Sequence, residues 1–142
     1  MVAGQAMDIR AEGEKIDTSL MELIHEHKTG ALLKASVSTG AILGGGSDRD
    51  IESLEIYGKN IGLAFQISDD ILDIEGDSEQ MGKATGVDIE RGKNTYPSIY
   101  GMEKSKIMLR NIIDEAIGAL SLLKENAEPL RKIAVYIIER KK

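Results

Sequence analysis

The sequence predicts an all-α protein on three observations. Leu, Ile, Ala, Glu and Lys, all helix formers, dominate the composition. Apolar residues recur at helical spacing over long stretches, and no segment alternates for long like a half-buried strand. The breaks between these stretches fall at glycine and proline: Gly44-Gly45-Gly46, Gly76-Asp77 and Glu128-Pro129. At 142 residues the chain is one domain's worth, able to bury roughly two-thirds of its unfolded surface.

The elements follow in order. Gly4 to Arg10 forms a short first segment with no helix cap, and Ala11 to Asp17 is a polar connection. Ser19 and Glu22 make a capping-box pattern ahead of Leu20, Leu23 and Ile24, opening a helix that runs to about Leu43. Gly30 lies inside that helix, where glycine costs about 1 kcal/mol relative to alanine, so it implies close packing or a kink beside Lys28. Ser47 starts the next helix, with Ile51, Leu54, Tyr57, Ile61 and Phe65 in period, which stops near Gly76-Asp77. From Asp77 to Asn94 the pattern is that of a long loop, and long loops in compact domains tend to be functional. Pro97 suits the first turn of a short helix. Ile107, Leu109, Ile113, Ala116, Ile117, Leu120 and Leu123 give an amphipathic helix ending near Asn126. Leu130, Ile133, Ala134, Ile137 and Ile138 give a last helix with a basic end, Arg140-Lys141-Lys142, of a kind that is usually solvated.

Charge and composition exclude some functions. The net charge of −6 argues against a nucleic-acid surface. The absence of cysteine rules out disulfides and thiolate chemistry. No apolar run approaches a membrane span, and the N-terminus lacks the pattern of a signal peptide. The default expectation is a soluble, cytoplasmic protein.

The chemistry centres on Phe65 to Asp73. On a helix, Gln66, Asp69, Asp70 and Asp73 fall at i, i+3, i+4 and i+7 on one face, while Ile67, Ile71 and Ile74 form an apolar back. Stacked carboxylates destabilise a free helix by a few tenths of a kcal/mol per pair. A hard divalent cation such as Mg²⁺ reverses that repulsion and takes substrate phosphates as well. Lys28, Lys83 and Lys93 lie in the flanking segments. Gly82-Lys83-Ala84-Thr85-Gly86 is too short for a P-loop and follows no strand. Carboxylates for Mg²⁺ with lysines for phosphate oxygens suit a diphosphate, whose departure lets a carbon–oxygen bond ionise. His25 and His27 lack the spacing of a zinc site and read as structural or partly exposed. Tyr96-Pro97 reads as a packing and helix-start device.

Five motifs stand in order: Gly4-Gln5-x-x-Asp8, His27-Lys28-Thr29-Gly30, Phe65-Gln66-x-x-Asp69-Asp70-x-x-Asp73, Gly82-Lys83-x-x-Gly86-x-Asp88 and Gly92-Lys93-x-Thr95-Tyr96-Pro97. With the terminal Tyr136-Ile137-Ile138-x-Arg140, this set resembles the C-terminal half of the bacterial trans-isoprenyl diphosphate synthases, the farnesyl/geranylgeranyl type of polyprenyl synthetase. The resemblance implies a helical bundle of the isoprenoid synthase type, here incomplete, with 1–142 as the C-terminal part of one domain. It implies prenyl transfer: an allylic diphosphate loses diphosphate with the help of Mg²⁺, and isopentenyl diphosphate attacks the allylic cation. Asp69, Asp70 and Asp73 match the second aspartate-rich motif, Asp69 as the direct metal ligand and Asp73 through water. Lys28 and Lys83 match the lysines that bind the allylic diphosphate, and Thr29 and Gln66 the residues lining the cation. Asp88 and Lys93 match flanking loop positions, with Asp88 orienting Lys83. Gln5 and Asp8 match the motif at the metal-side end of the preceding helix.

The family's first aspartate motif, its arginine pair and its main isopentenyl diphosphate residues lie upstream of Gly4-Gln5 and are missing here. The chain therefore reads as about half an enzyme, whether a truncated gene model, a fragment or an internal start. Its partner is either a second copy, giving a homo-oligomer such as a dimer, or the missing half. The Ile67/Ile71/Ile74 and Ile113/Ile117/Leu120 faces are expected to pack partly on absent elements. A class I terpene cyclase also ionises an allylic diphosphate, but lacks the Lys-Thr and Gly-Lys-x-Thr-Tyr-Pro signatures. A non-catalytic helical partner subunit or remnant is the third reading. Lys83→Met separates a diphosphate-binding loop from a structural one. In a full-length context the substitution weakens allylic diphosphate binding and spares the helix content, and unchanged affinity by calorimetry makes the loop structural only.

Overall fold

The computed structural model describes residues 1–14, 16–76 and 93–140, and among these it is helical throughout, without strands. The expected loop residues Lys83 and Asp88, with the glycines between 77 and 92, lie outside the described residues. Helix α1 spans Val2–Ala11, α2 Thr18–His25, α3 Ala31–Leu43 and α4 Asp48–Glu75. After the undescribed stretch come α5, Tyr96–Tyr100, and α6, Met102–Ala119. A 3-10 stretch, Leu120–Ala127, leads into α7, Glu128–Glu139. No helix among the described residues is long and apolar enough to cross a membrane.

Helix α4 is the axis of the molecule. Ser47 caps it in a reciprocal capping box with Asp50, whose carboxylate is held below its ordinary pKa by the Ser47 hydroxyl and amide. Its Leu54, Tyr57, Ile61, Ala64, Ile67 and Ile71 enter a core shared with Leu109, Ile113 and Ala116 of α6, Leu120 beyond it, and Ala134 and Ile137 of α7. The Tyr57 hydroxyl donates to the Leu130 carbonyl at 2.8 Å, satisfying a buried donor and tying α4 to α7.

Two glycines on α4 set the distance to its other neighbour. A Cβ on Gly62 would lie 2.5 Å from the Gly30 Cα, and one on Gly58 2.7 Å from the Lys34 Cα. Backbone meets backbone here. The interior glycine at position 30 therefore marks close packing, and it also ends a π-helical turn, Glu26–Gly30, joining α2 to α3 without a break. Such a turn accommodates one extra residue in the helix and recurs at functional positions. On its far side, a Cβ on Gly4 of α1 would overlap the Lys28 amide nitrogen and come within 2.6 Å of the Lys28 Cα.

Several boundaries differ from expectation. The cap of α2 is Asp17, accepting from the Leu20 amide at 2.8 Å, and Ser19 lies inside the helix. Helix α6 ends at Ala119 instead of near Asn126. Arg131 of α7 accounts for this: its guanidinium donates to the carbonyls of Lys124 at 2.6 Å and Leu120 at 3.0 Å, occupying acceptors the α-helix would have used. Lys124 takes a positive φ of 48° there. The faces expected to need absent elements are largely covered within the chain, with Ile67 0%, Ile71 8%, Ile113 1% and Leu120 0% exposed. Ile74, placed on the apolar back of α4, is 37% exposed, because the helix outruns its core at that end.

Gly62→Ala tests the backbone contact. Overpacking costs up to ~3 kcal/mol and the helix-propensity gain returns about 1, leaving a loss of roughly 2 kcal/mol in denaturant unfolding. Gly40→Ala is the control. A Cβ there meets nothing within 4 Å, so that variant gains up to about 1 kcal/mol.

Candidate active site

The π-helical turn presents Lys28 and Thr29, both half-buried, beside α4. The Lys28 Nζ donates to Asp8 Oδ2 at 2.7 Å, with the two side chains 28% and 20% exposed. Gln5 precedes Asp8 by one turn of α1 and is exposed. On α4, Gln66 is buried and sits one turn beyond Gly62, on the face that approaches the π-helical turn.

The three aspartates have distinct surroundings. Asp70 Oδ2 accepts the Tyr96 backbone N–H at 2.9 Å, a first-turn amide of α5 with no partner inside its own helix. Thr95 and Ser98 cap that helix reciprocally, and Pro97 occupies its first turn. Asp69 faces the other way, with Oδ1 3.6 Å from Arg140 Nη2. Asp73 is buried, 4% exposed. Lys93 shares a narrow recess with Asp8, His25 and Asn94, and the Asn94 amide donates to the Glu14 carbonyl at 2.7 Å. Thus Lys28 and Lys93 of the expected site gather around Asp8, while Asp69 and Asp70 hold partners on opposite flanks of α4.

Arg140 lies in a tail of a kind that is usually solvated but that, by the resemblance, can fold over the substrate entrance, and it docks on α4. Its side chain is 7% exposed; Nε donates to Ser68 Oγ at 3.1 Å and Nη2 to the Phe65 carbonyl at 3.0 Å. The guanidinium carbon lies 4.2 Å from the centre of the Phe65 ring, within cation–π range. Burial lowers its pKa from the usual value, and Asp69 opposes that shift. No local pattern in the sequence pairs Arg140 with Phe65 or Ser68; its only hint is residue type, since arginine suits buried and stacked sites better than lysine. His25, expected to be structural or partly exposed, is structural, at 7% exposure. Its ring stacks on Tyr96, with centroids 5.6 Å apart and planes 25° apart. Desolvation drives its pKa down to about 4; Asp8 opposes this and Lys28 reinforces it.

Two clefts flank the site, and neither takes in an aspartate of α4. One of about 450 Å³ lies among Ser68, Glu75, Lys106, Leu109 and Arg140. The other, about 610 Å³, lies among His27, Gly30, Lys34, Asn60 and Leu63. Among the described residues no three histidines, cysteines, aspartates or glutamates converge on one point. The donor set is carboxylate oxygen on one rigid helix, which suits a hard cation that keeps waters and shares substrate oxygens.

An all-α bundle whose longest described helix carries three aspartates, with a lysine turn packed against that helix, defines a class only as a helical bundle with candidate cation and anion ligands. Comparison with known proteins narrows it. Residues 1–133 match the family model described as Polyprenyl synthetase, and the chain belongs to that family. It is 43% identical over 146 residues to farnesyl diphosphate synthase of Escherichia coli K12, covering 100% of this chain and 49% of that protein. The chain spans about half the length of the curated relatives it matches, corresponding to their C-terminal half. An FPP/GFPP synthase from Zymomonas mobilis superposes with a TM-score of 0.81 at 37% identity, over 96% of this chain and 45% of that one. The geranyltransferase of Helicobacter pylori, solved with magnesium and isoprenyl diphosphate, gives 0.78 at 30% identity, over 98% and 46%.

The buried histidine gives a pH prediction. Between pH 6.5 and about 4 the unfolded imidazole takes up a proton that the folded one refuses. Stability therefore falls as the pH drops through that window, by about 3 kcal/mol from this group. His25→Phe removes the contribution. Urea unfolding of both chains at pH 7 and pH 4.5 checks it: the wild type loses more than the variant.

Proposed function

We propose that this chain supplies the second aspartate-rich half-site of a trans-prenyltransferase, which joins an allylic diphosphate to isopentenyl diphosphate in isoprenoid biosynthesis. The observation that carries this reading is the α4 face: Asp69, Asp70, Asp73 and Gln66 on one rod, with the Lys28 turn packed against the same helix through Gly30 and Gly62. Residues 1–142 then form the C-terminal part of one polyprenyl synthetase domain. Relatives that are farnesyl diphosphate synthases, and a structural neighbour solved with magnesium and isoprenyl diphosphate, support the same assignment.

Asp69, Asp70 and Asp73 would hold Mg²⁺, with Asp69 as direct ligand and Asp73 acting through water. When bound, the metal supplies Lewis-acid neutralisation of the leaving diphosphate. The chain's own residues do the rest. Lys28 donates to a diphosphate oxygen, exchanging its contact with Asp8 for a more highly charged acceptor. Lys83 joins it from the loop, oriented by Asp88, while Lys93 and Gln5 flank the same diphosphate. Thr29 and Gln66 aim oxygen dipoles at the allylic carbon, stabilising positive charge without capturing it. The Arg140–Asp69 pair must loosen for Asp69 to reach a metal directly. Magnesium is therefore the cofactor and the two diphosphates are the substrates. Assembly with a second copy or with an N-terminal half completes the site, and the location is cytoplasmic.

Positioning the nucleophile is worth roughly 7–11 kcal/mol of the barrier, and the residues that would position isopentenyl diphosphate are not in this chain. The isolated chain is therefore inactive with labelled isopentenyl diphosphate, an allylic diphosphate and Mg²⁺, while remaining helical by circular dichroism. Placing the N-terminal half of the E. coli relative ahead of Met1 restores elongation. In that chimera Asp69→Ala lowers turnover by at least ~100-fold. Turnover within about threefold of the parent removes Asp69 from the site. Elongation by the chain alone, abolished by Asp69→Ala, overturns the half-site reading.

A further inference from the structure

We infer that His25 is a positioning residue for the aspartate face, acting through Tyr96 on Asp70. The inference rests on the reading above in taking Asp70 as part of the metal face. His25 closes α2, immediately before the π-helical turn that carries Lys28 and Thr29. Its ring packs on one ring neighbour, Tyr96, and Tyr96 has a second ring neighbour in Tyr100, at 5.7 Å between centroids. Tyr96 is fully buried, and its backbone N–H donates to Asp70 Oδ2 at 2.9 Å. The lysine turn and the aspartate face are thereby joined through two stacked rings and one hydrogen bond.

The cost of the arrangement supports a role beyond core filling. Both His25 Nδ1 and the Tyr96 hydroxyl are buried without a hydrogen-bond partner among the described residues. Each such atom costs about 1–3 kcal/mol, which leucine or phenylalanine at these positions would avoid. A packing role needs apolar volume only, whereas a positioning role needs a flat ring that seats the Tyr96 ring, and with it the first turn of α5 and its amide, at one distance from Asp70. Aromatic pairs supply that orientation and contribute about 0.5–1.5 kcal/mol beyond area burial. A carboxylate held by an outer-shell donor presents its remaining lone pairs in one direction, and loss of such partners typically weakens metal affinity by 10–100-fold. Asp70 is held in this way by the Tyr96 amide, whereas Asp69 is engaged by a guanidinium that competes with a cation.

The test compares ring retention with volume retention. His25→Phe keeps the stack and removes the imidazole nitrogens, whereas His25→Leu keeps the volume and removes the ring. Hydrogen exchange at the Tyr96 amide in the 142-residue chain reports the hydrogen bond to Asp70 directly. Protection is expected to fall by about tenfold or more in His25→Leu and to hold within about twofold in His25→Phe, with both chains equally helical. Calorimetry with Mg²⁺ and inorganic diphosphate gives the second readout: affinity weakens roughly tenfold in the leucine variant only. Should His25→Leu unfold, Tyr96→Leu removes the same ring contact from the other side and must reproduce the loss of affinity. Where His25→Leu folds, the double variant loses no more affinity than either single one. Equal protection in the leucine variant and the parent, or equal loss in the phenylalanine and leucine variants, overturns the inference. The exchange readout needs no metal. The expected protection pattern, together with a completed chimera that binds no magnesium, therefore refutes the metal reading and leaves the positioning of Asp70 by His25 intact.

Discussion

The structure depends on a backbone contact: the π-helical turn Glu26–Gly30 lies between Gly4 of α1 and Gly62 of α4, with no side chain interposed on either side. Close backbone approach brings many weak dispersion contacts into range at once and leaves no room for adjustment. It also fixes geometry. Lys28 and Thr29 occupy the turn itself, Asp8 stands one turn along α1 from Gly4, and Gln66 one turn along α4 from Gly62. The relative positions of the basic and acidic residues are therefore set by three glycines, none of which has any chemistry of its own.

The charged groups are compensated inside the chain. Lys28 has Asp8, Asp69 has Arg140, and Asp70 has the Tyr96 amide. Burying any of these alone would cost several kcal/mol or force neutralisation, so pairing is the condition under which half-buried charges persist. On the proposed function the same pairs define what a ligand would have to replace: a diphosphate would offer Lys28 more negative charge than Asp8 does, and a divalent cation would offer Asp69 more positive charge than Arg140. The pairing keeps these charged groups satisfied within the fold itself.

Much of this was legible in the sequence, and the exceptions have physical causes. The helical class, the α4 periodicity and the meaning of Gly30 follow from local pattern, because helix period and glycine placement are local properties. The cap of α2 was misplaced by two residues because Asp17 and Ser19 are both good caps and only geometry separates them. The end of α6 depends on Arg131, eleven residues beyond Leu120, and the burial of His25 depends on Tyr96, seventy-one residues away in the chain. Arg140 read as a solvated end because nothing local connects it to Phe65 and Ser68. Of the candidate site, the residue types and their order were readable; their pairing was not, since pairing is decided by which helices pack.

The burial pattern divides the molecule into two unequal layers. The α4, α6 and α7 side carries nearly all the fully buried apolar residues, including Ile67, Ile113, Leu120 and Ala134. Helix α3 has no buried residue at all, α1 has only Gly4, and Val2, Ile9, Leu32, Ile42 and Leu43 are exposed between 55% and 83%. The aspartate helix is thus anchored in a core, and the layer bearing Lys28 is held to it by the glycine contacts, by the partly buried Leu33, Val37 and Ala41, and by α2, whose Met21 enters the same core and whose Ile24 is buried. Backbone contact fixes the register, because dispersion falls off steeply with distance, and the buried face of α2 adds apolar area that opposes separation. The lysine turn is accordingly fixed in two ways, by glycine backbone on α1 and α4 and by the buried side chains that precede it on α2.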